Sequence, residues 1–192
     1  MKNLLVAKKK LEKIRKEVLS WNPDIKAALV SRRFNKEFKT LSVKFRFEKM
    51  NNYFAAGEYD PYRESTKEPK YLIYLGYDKR FSIWFWLNTD MFYEEVYLIL
   101  SHEFRHGYQH RKRKYKVLFH NKRISTLFDY YTNKDELDAY AFEVAKAFEM
   151  YKKKKMLFCN YWVIDAYKKV VKPISPKMYN RFLKKVYLLS EI

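Results

Sequence analysis

Residues 96–110 read VYLILSHEFRHGYQH, an apolar run that passes without a break into a stretch holding three of the chain's four histidines. Such a run predicts a buried helix. A charged Glu and two imidazoles on a buried helix are costly unless something partners them. His102 and His106 are four residues apart, so on a helix they lie about 40° apart around the axis and one turn along it. Both imidazoles then aim at one point, which places two ligands of a zinc ion. Glu103 lies about 100° round from His102, too far to be an equal ligand and near enough to reach a water that the metal activates. The sequence H-E-x-x-H is the arrangement that metal-assisted hydrolysis needs.

A catalytic zinc takes three protein ligands and keeps one position for water, so a ligand must come from elsewhere. His110 fails on geometry. Its eight-residue separation from His102 is about 12 Å of helical rise, against zinc–nitrogen bonds of about 2.1 Å. A glycine turn leading to a third His ten residues after the first is also absent, because that position is Lys112. Two residues remain: His120 in VLFHNKR and Glu136 in NKDELDAYAFEVA. Glu136 is the preferred ligand, since a carboxylate on a packed neighbouring helix is held rigidly. Leu137, Ala139, Ala141 and Phe142 around it read as a face packed on the first helix. The plainer role for Glu136 is that of a capping glutamate, and His120 stays as the alternative ligand.

The rest of the chain predicts an α+β fold in a single domain, with N-terminal helices over 1–38, a β-rich part over 41–87 and a helical part over 89–192. Leu4, Leu11, Ile14 and Val18 fall at helical spacing in residues 2–20, with lysines on the other faces. This helix packs on a core or serves as a membrane-surface or nucleic-acid arm. In WNPDI, Asn22 is an N-cap and Pro23 a first helical residue for a helix reaching about Phe38. LSVKFRF (41–47), YLIYLGY (71–77) and RFSIWFWL (80–87) read as strands, the last two joined at Asp78-Lys79, giving a small antiparallel sheet. AAGEYDPYRESTKEP between the first two reads as an irregular loop. A helix capped at Thr89 or Asp90 covers 89–114, and Asn133 with Glu136 has capping-box spacing for another through about Lys155. Helices around 160–171 and after Ser175-Pro176 complete the chain.

Composition narrows the setting. With 48% hydrophobic and 19% aromatic residues, the 192-residue chain has enough apolar surface for a core. Forty-one Lys and Arg against 22 Asp and Glu give a net charge of +19, which draws polyanions such as nucleic acid or acidic protein. From Phe104 to Phe128 there is no acidic residue, while Arg105, Arg111, Lys112, Arg113, Lys114, Lys116, Lys122 and Arg123 accumulate. Cys159 is the sole cysteine, so no intrachain disulfide forms, and an intracellular setting is the simplest expectation. No signal-peptide core and no membrane-spanning run is visible.

LSHEFRHGYQH followed by ELDAYAFE resembles the gluzincin branch of the zincin metallopeptidases, over about residues 70–150. The resemblance implies a zincin-like domain whose active helix follows a β-hairpin, with one Zn2+ per chain held by His102, His106 and Glu136, and Glu103 as catalytic base. It also implies peptide-bond hydrolysis in protein or peptide substrates, held by strand addition to an edge strand, for which RFSIWFWL is the candidate. The chain departs from the pattern at Tyr140, where many gluzincins carry an Asp that orients a zinc-bound His; Asp138 is the substitute within reach. The oxyanion donor is unassigned among Tyr130, Tyr131 and His110. The SprT-like zincins, which use three His and act on proteins attached to DNA, are the second resemblance. His120 and the charge suit them, but Asn121 stands where their His-Gly pair requires glycine. A non-catalytic zinc-bearing protein that binds nucleic acid is the remaining alternative.

Overall fold

The computed structural model describes residues 2–52, 54–60, 69–113, 125–153 and 162–190. Its class is α+β, as the sequence predicts. Two compact units are present, Met1–Phe104 and Arg105–Ile192, and the division falls inside one continuous helix. Among the described residues no helix is long and apolar enough to cross a membrane.

In the first unit, α1 (Lys2–Val18) buries Leu4, Ala7, Leu11, Ile14 and Val18, and α2 (Ala27–Phe38) buries Val30, Phe34 and Phe38. These are single stripes at the three- and four-residue spacing of an amphipathic helix. The start of α2 differs from expectation. The Asn22 side chain accepts a hydrogen bond from the Asp24 N–H at 2.8 Å, so it closes a local turn instead of capping a helix, and α2 begins only after Lys26. A charge network joins α1 to α2: Arg33 binds both oxygens of Glu17 at 2.6 and 2.7 Å, and Glu37 accepts from Lys13 and Arg33 at 3.0 and 2.9 Å.

The sheet contains β1 (Val43–Met50), β2 (Phe54–Tyr59) and β3 (Tyr71–Asp78) in the order β1-β3-β2. It is mixed rather than antiparallel: β3 runs parallel to β1 and antiparallel to β2. As the central strand, β3 is buried on nearly every residue, which accounts for its unalternating YLIYLGY. Two strand assignments are corrected. Part of the segment read as irregular loop is β2, and RFSIWFWL is not a strand but holds a short helix, α3 (Ile83–Leu87). The Ser82 side chain caps α3 by accepting from the Phe85 N–H, and Phe81 stacks on Phe85 four residues on, with ring centroids 4.9 Å apart. Cap and aromatic pair together override a β-rich composition.

Helix α4 (Asp90–Lys112) starts where the Thr89 hydroxyl accepts from the Phe92 N–H. Its Phe104 ring meets Tyr71 of β3 edge-on, with centroids 4.9 Å apart. The second unit adds α5 (Leu127–Thr132), α6 (Lys134–Lys153), α7 (Trp162–Ala166), a π turn (Tyr167–Val171) and α8 (Pro176–Ser190). The sequence reading missed the reciprocal Thr126–Asp129 capping box that starts α5. Leu137, Tyr140, Ala141 and Val144 of α6 pack with Val163, Tyr167, Val171, Phe182 and Val186. Leu137 and Ala141, expected to face α4, therefore belong to the core shared with α7 and α8.

Candidate metal centre

Three side chains converge as predicted. One ligand atom from each of His102, His106 and Glu136 lies within 4.8 Å of the other two, with both histidines buried and Glu136 half-buried. His102 and His106 are presented by consecutive turns of α4, and Glu136 by the first turn of α6. That turn is set by Asn133, whose side chain accepts from the Asp135 N–H at 2.9 Å. Glu136 is thus spared the cap, and its Oε1 lies 3.5 Å from His106 Nε2. Two ligands on one tetrahedral ion with bonds of about 2.1 Å stand about 3.4 Å apart, so the residues present fit a metal ion.

The orientation of His106 is fixed by a residue that the sequence reading did not single out. The Gln109 amide Nε2 donates to the Asp135 carbonyl at 3.0 Å and to Asp138 Oδ2 at 2.7 Å. Both partners only accept, so the amide must turn its oxygen to His106 Nδ1, 3.1 Å away. An oxygen facing Nδ1 requires the proton to sit there, which leaves the Nε2 lone pair for a metal. Asp138 therefore supports the site through Gln109 rather than by touching a histidine itself.

Asp138 is the hub of a wider lattice. It accepts from Arg105 Nε at 2.7 Å and from Lys185 at 2.5 Å. Burial alone would raise its pKa, but the hydrogen bonds from Arg105, Lys185 and Gln109 outweigh it and hold the carboxyl well below the usual range. Arg113 pairs with Asp135 in the same forked way. Arg105 and Gln109 of α4 and Arg113 just past its end recur every four residues, and Asp135 and Asp138 are three apart on α6. Two cations of the predicted basic segment are thus spent on ion pairs within the protein. The signal was in the sequence as opposite charges at matching helical spacing.

Glu103 is buried, with 5% of its surface exposed. A Cβ built on Gly57 of β2 would stand 2.6 Å from both Glu103 Cγ and Oε1, so the carboxylate lies directly against the strand backbone. The sequence clue was an isolated glycine between residues of strand character, which marks a close backbone approach.

The other predicted residues are placed as follows. His110 is buried on α4 and lies outside the metal-binding group. Tyr130 and Tyr131 of α5 join an aromatic cluster with Tyr140 and Tyr167: the hydroxyls of Tyr130 and Tyr140 are 3.4 Å apart, and the Tyr167 hydroxyl donates to the Tyr131 carbonyl at 2.8 Å. Burial, then the charge of Glu136, pushes the Tyr167 pKa up; burial, then Tyr130, does the same for Tyr140. Both phenols stay protonated in the field of the Glu136 carboxylate. His120, with Lys114, Lys116, Lys122 and Arg123, lies outside the described residues. No family model, no curated protein and no solved structure matches the chain.

Proposed function

We propose that this protein is a zinc-dependent metallopeptidase of the gluzincin type, hydrolysing peptide bonds in protein substrates. The observation that carries the reading is the convergence of His102, His106 and Glu136 within 4.8 Å, with a buried glutamate outside that group, Glu103, next to His102. Two imidazoles and one carboxylate are a donor set suited to zinc with an open position. Bound zinc supplies Lewis acidity, polarising the attacking water and the scissile carbonyl. Glu103 accepts the water's proton and returns it to the leaving amine. Gln109 keeps His106 in the tautomer that binds.

Substrate holding falls to β2 rather than to RFSIWFWL. Among the described residues β2 is an edge of the sheet, and at Gly57 its backbone touches Glu103. A substrate chain added to that edge runs beside the base, with main-chain hydrogen bonds setting its register.

The test compares zinc-loaded wild type with Glu103→Gln on an unfolded protein substrate. Wild type cleaves it; Glu103→Gln retains zinc and loses activity by a factor of about 10² or more. Cleavage at the wild-type rate by Glu103→Gln refutes the mechanism. A chain that unfolds on chelation and never cleaves is a structural zinc protein instead.

A further inference from the structure

The exposed face of α8 carries a second feature, separate from the metal centre. From Ala166 to Ser190 there is no acidic residue, against seven Lys and Arg. Of the seven, Lys185 is paired, with Asp138. Lys168, Lys169, Lys172, Lys177, Arg181 and Lys184 are exposed, and among the described residues none makes an ion pair. On α8, Lys177, Arg181 and Lys184 fall within about 60° around the axis and rise about 6 and 4.5 Å from one to the next. Phe182 and Val186 on the other side of the helix are buried, which fixes the outward direction of the cationic row. Lys172 lies over the ring of Tyr179, 5.6 Å from its centroid, bringing a further cation onto the same helix.

Helix α1 holds more lysines, six against three, but they are differently arranged. Lys10 and Lys13 are spent on Glu37, Arg15 on Asp90, and Glu12 and Glu17 interrupt the row. Along the α8 row no acidic residue intervenes, and among the described residues Lys177, Arg181 and Lys184 make no ion pair.

We propose that this face binds the phosphate backbone of nucleic acid without regard to sequence. A row of cations one turn apart on a helix suits successive phosphates, and each phosphate neutralised releases a counterion. A membrane surface fits less well, because a helix lying in the headgroup region needs a long apolar stripe for insertion, and Phe182 and Val186 of α8 are buried in the core, leaving Tyr187 and Leu188 as its exposed large apolar side chains. The inference is independent of the peptidase reading, since binding is measured without hydrolysis.

The experiment follows a labelled duplex oligonucleotide by fluorescence anisotropy across a salt series, using the full chain in a Glu103→Gln background. The α8 variant carries Lys177→Gln, Arg181→Gln and Lys184→Gln. A control with the same loss of charge carries Lys8→Gln, Lys9→Gln and Lys16→Gln. The α8 variant loses affinity at least 10-fold, and its log–log salt slope flattens by about 2 to 3, at ~0.9 per phosphate contact; the α1 control keeps most of both. Equal losses in the two variants, or none in either, overturn the proposal. So does wild type that binds anionic vesicles but no duplex. Should the α8 variant misfold, acetylation footprinting of the parent chain decides: duplex protects Lys177 and Lys184 if the proposal holds, and their unchanged labelling contradicts it.

Discussion

Glu103 occupies the space that a side chain on Gly57 would need. A Cβ there would stand 2.6 Å from Glu103 Cγ and Oε1 and 2.8 Å from Ile99 Cγ2, well inside van der Waals contact. Gly57→Ala therefore displaces the carboxylate while leaving the metal ligands in place. On the proposed peptidase reading, peptide hydrolysis falls about 10²-fold, a loss that a misplacement of about 1 Å can cause. Overpacking costs about 1–3 kcal/mol of stability. Zinc content stays at the wild-type level. Full activity in Gly57→Ala shows that Glu103 does not work from this position.

Gln109 holds His106 through Nδ1 and is itself held by Asp138 and the Asp135 carbonyl. Gln109→Leu keeps the volume and removes the orienting hydrogen bond. Metal affinity, measured by competition with a chromophoric chelator, falls about 10- to 100-fold, the usual effect of losing a partner behind a ligand. Unchanged affinity means that His106 is oriented by packing alone.

The divided legibility of the fold follows from which interactions are local. His102 and His106 share a helix, so their convergence is a consequence of 3.6 residues per turn and needs no tertiary information. Asn133 likewise announces the start of α6, and with it the turn that carries Glu136. The strands were harder. RFSIWFWL has the composition of a strand, yet the Ser82 cap and the Phe81–Phe85 stack make it helical from Ile83 onward. β2 was hidden because FAAGEY has no alternation strong enough to show, and its strand character comes from pairing with β3. Gln109 escaped because its value lies in a partner, Asp138, 29 residues away.

The clamp between α1 and α2 gives a pH dependence. Burial by itself would raise the Glu37 pKa, but hydrogen bonds from Lys13 and Arg33 outweigh it and lower the value from 4.5 to about 2. Because the folded value lies below the unfolded one, the clamp stabilises the fold above about pH 4.5, and the contribution is lost as pH falls toward 2. Urea midpoints at pH 5 and pH 3 test this against Glu37→Gln. Wild type is the more stable at pH 5, and the gap narrows at pH 3. Parallel behaviour of the two proteins contradicts the assignment.

Zinc content per chain decides the central claim, measured on purified wild type, Glu136→Ala and His120→Ala after equilibration with limiting zinc and removal of loosely bound ions. About one zinc is expected in wild type and in His120→Ala, and a large loss in Glu136→Ala. Zinc retained by Glu136→Ala and lost from His120→Ala would move the third ligand to His120 and contradict the site described here.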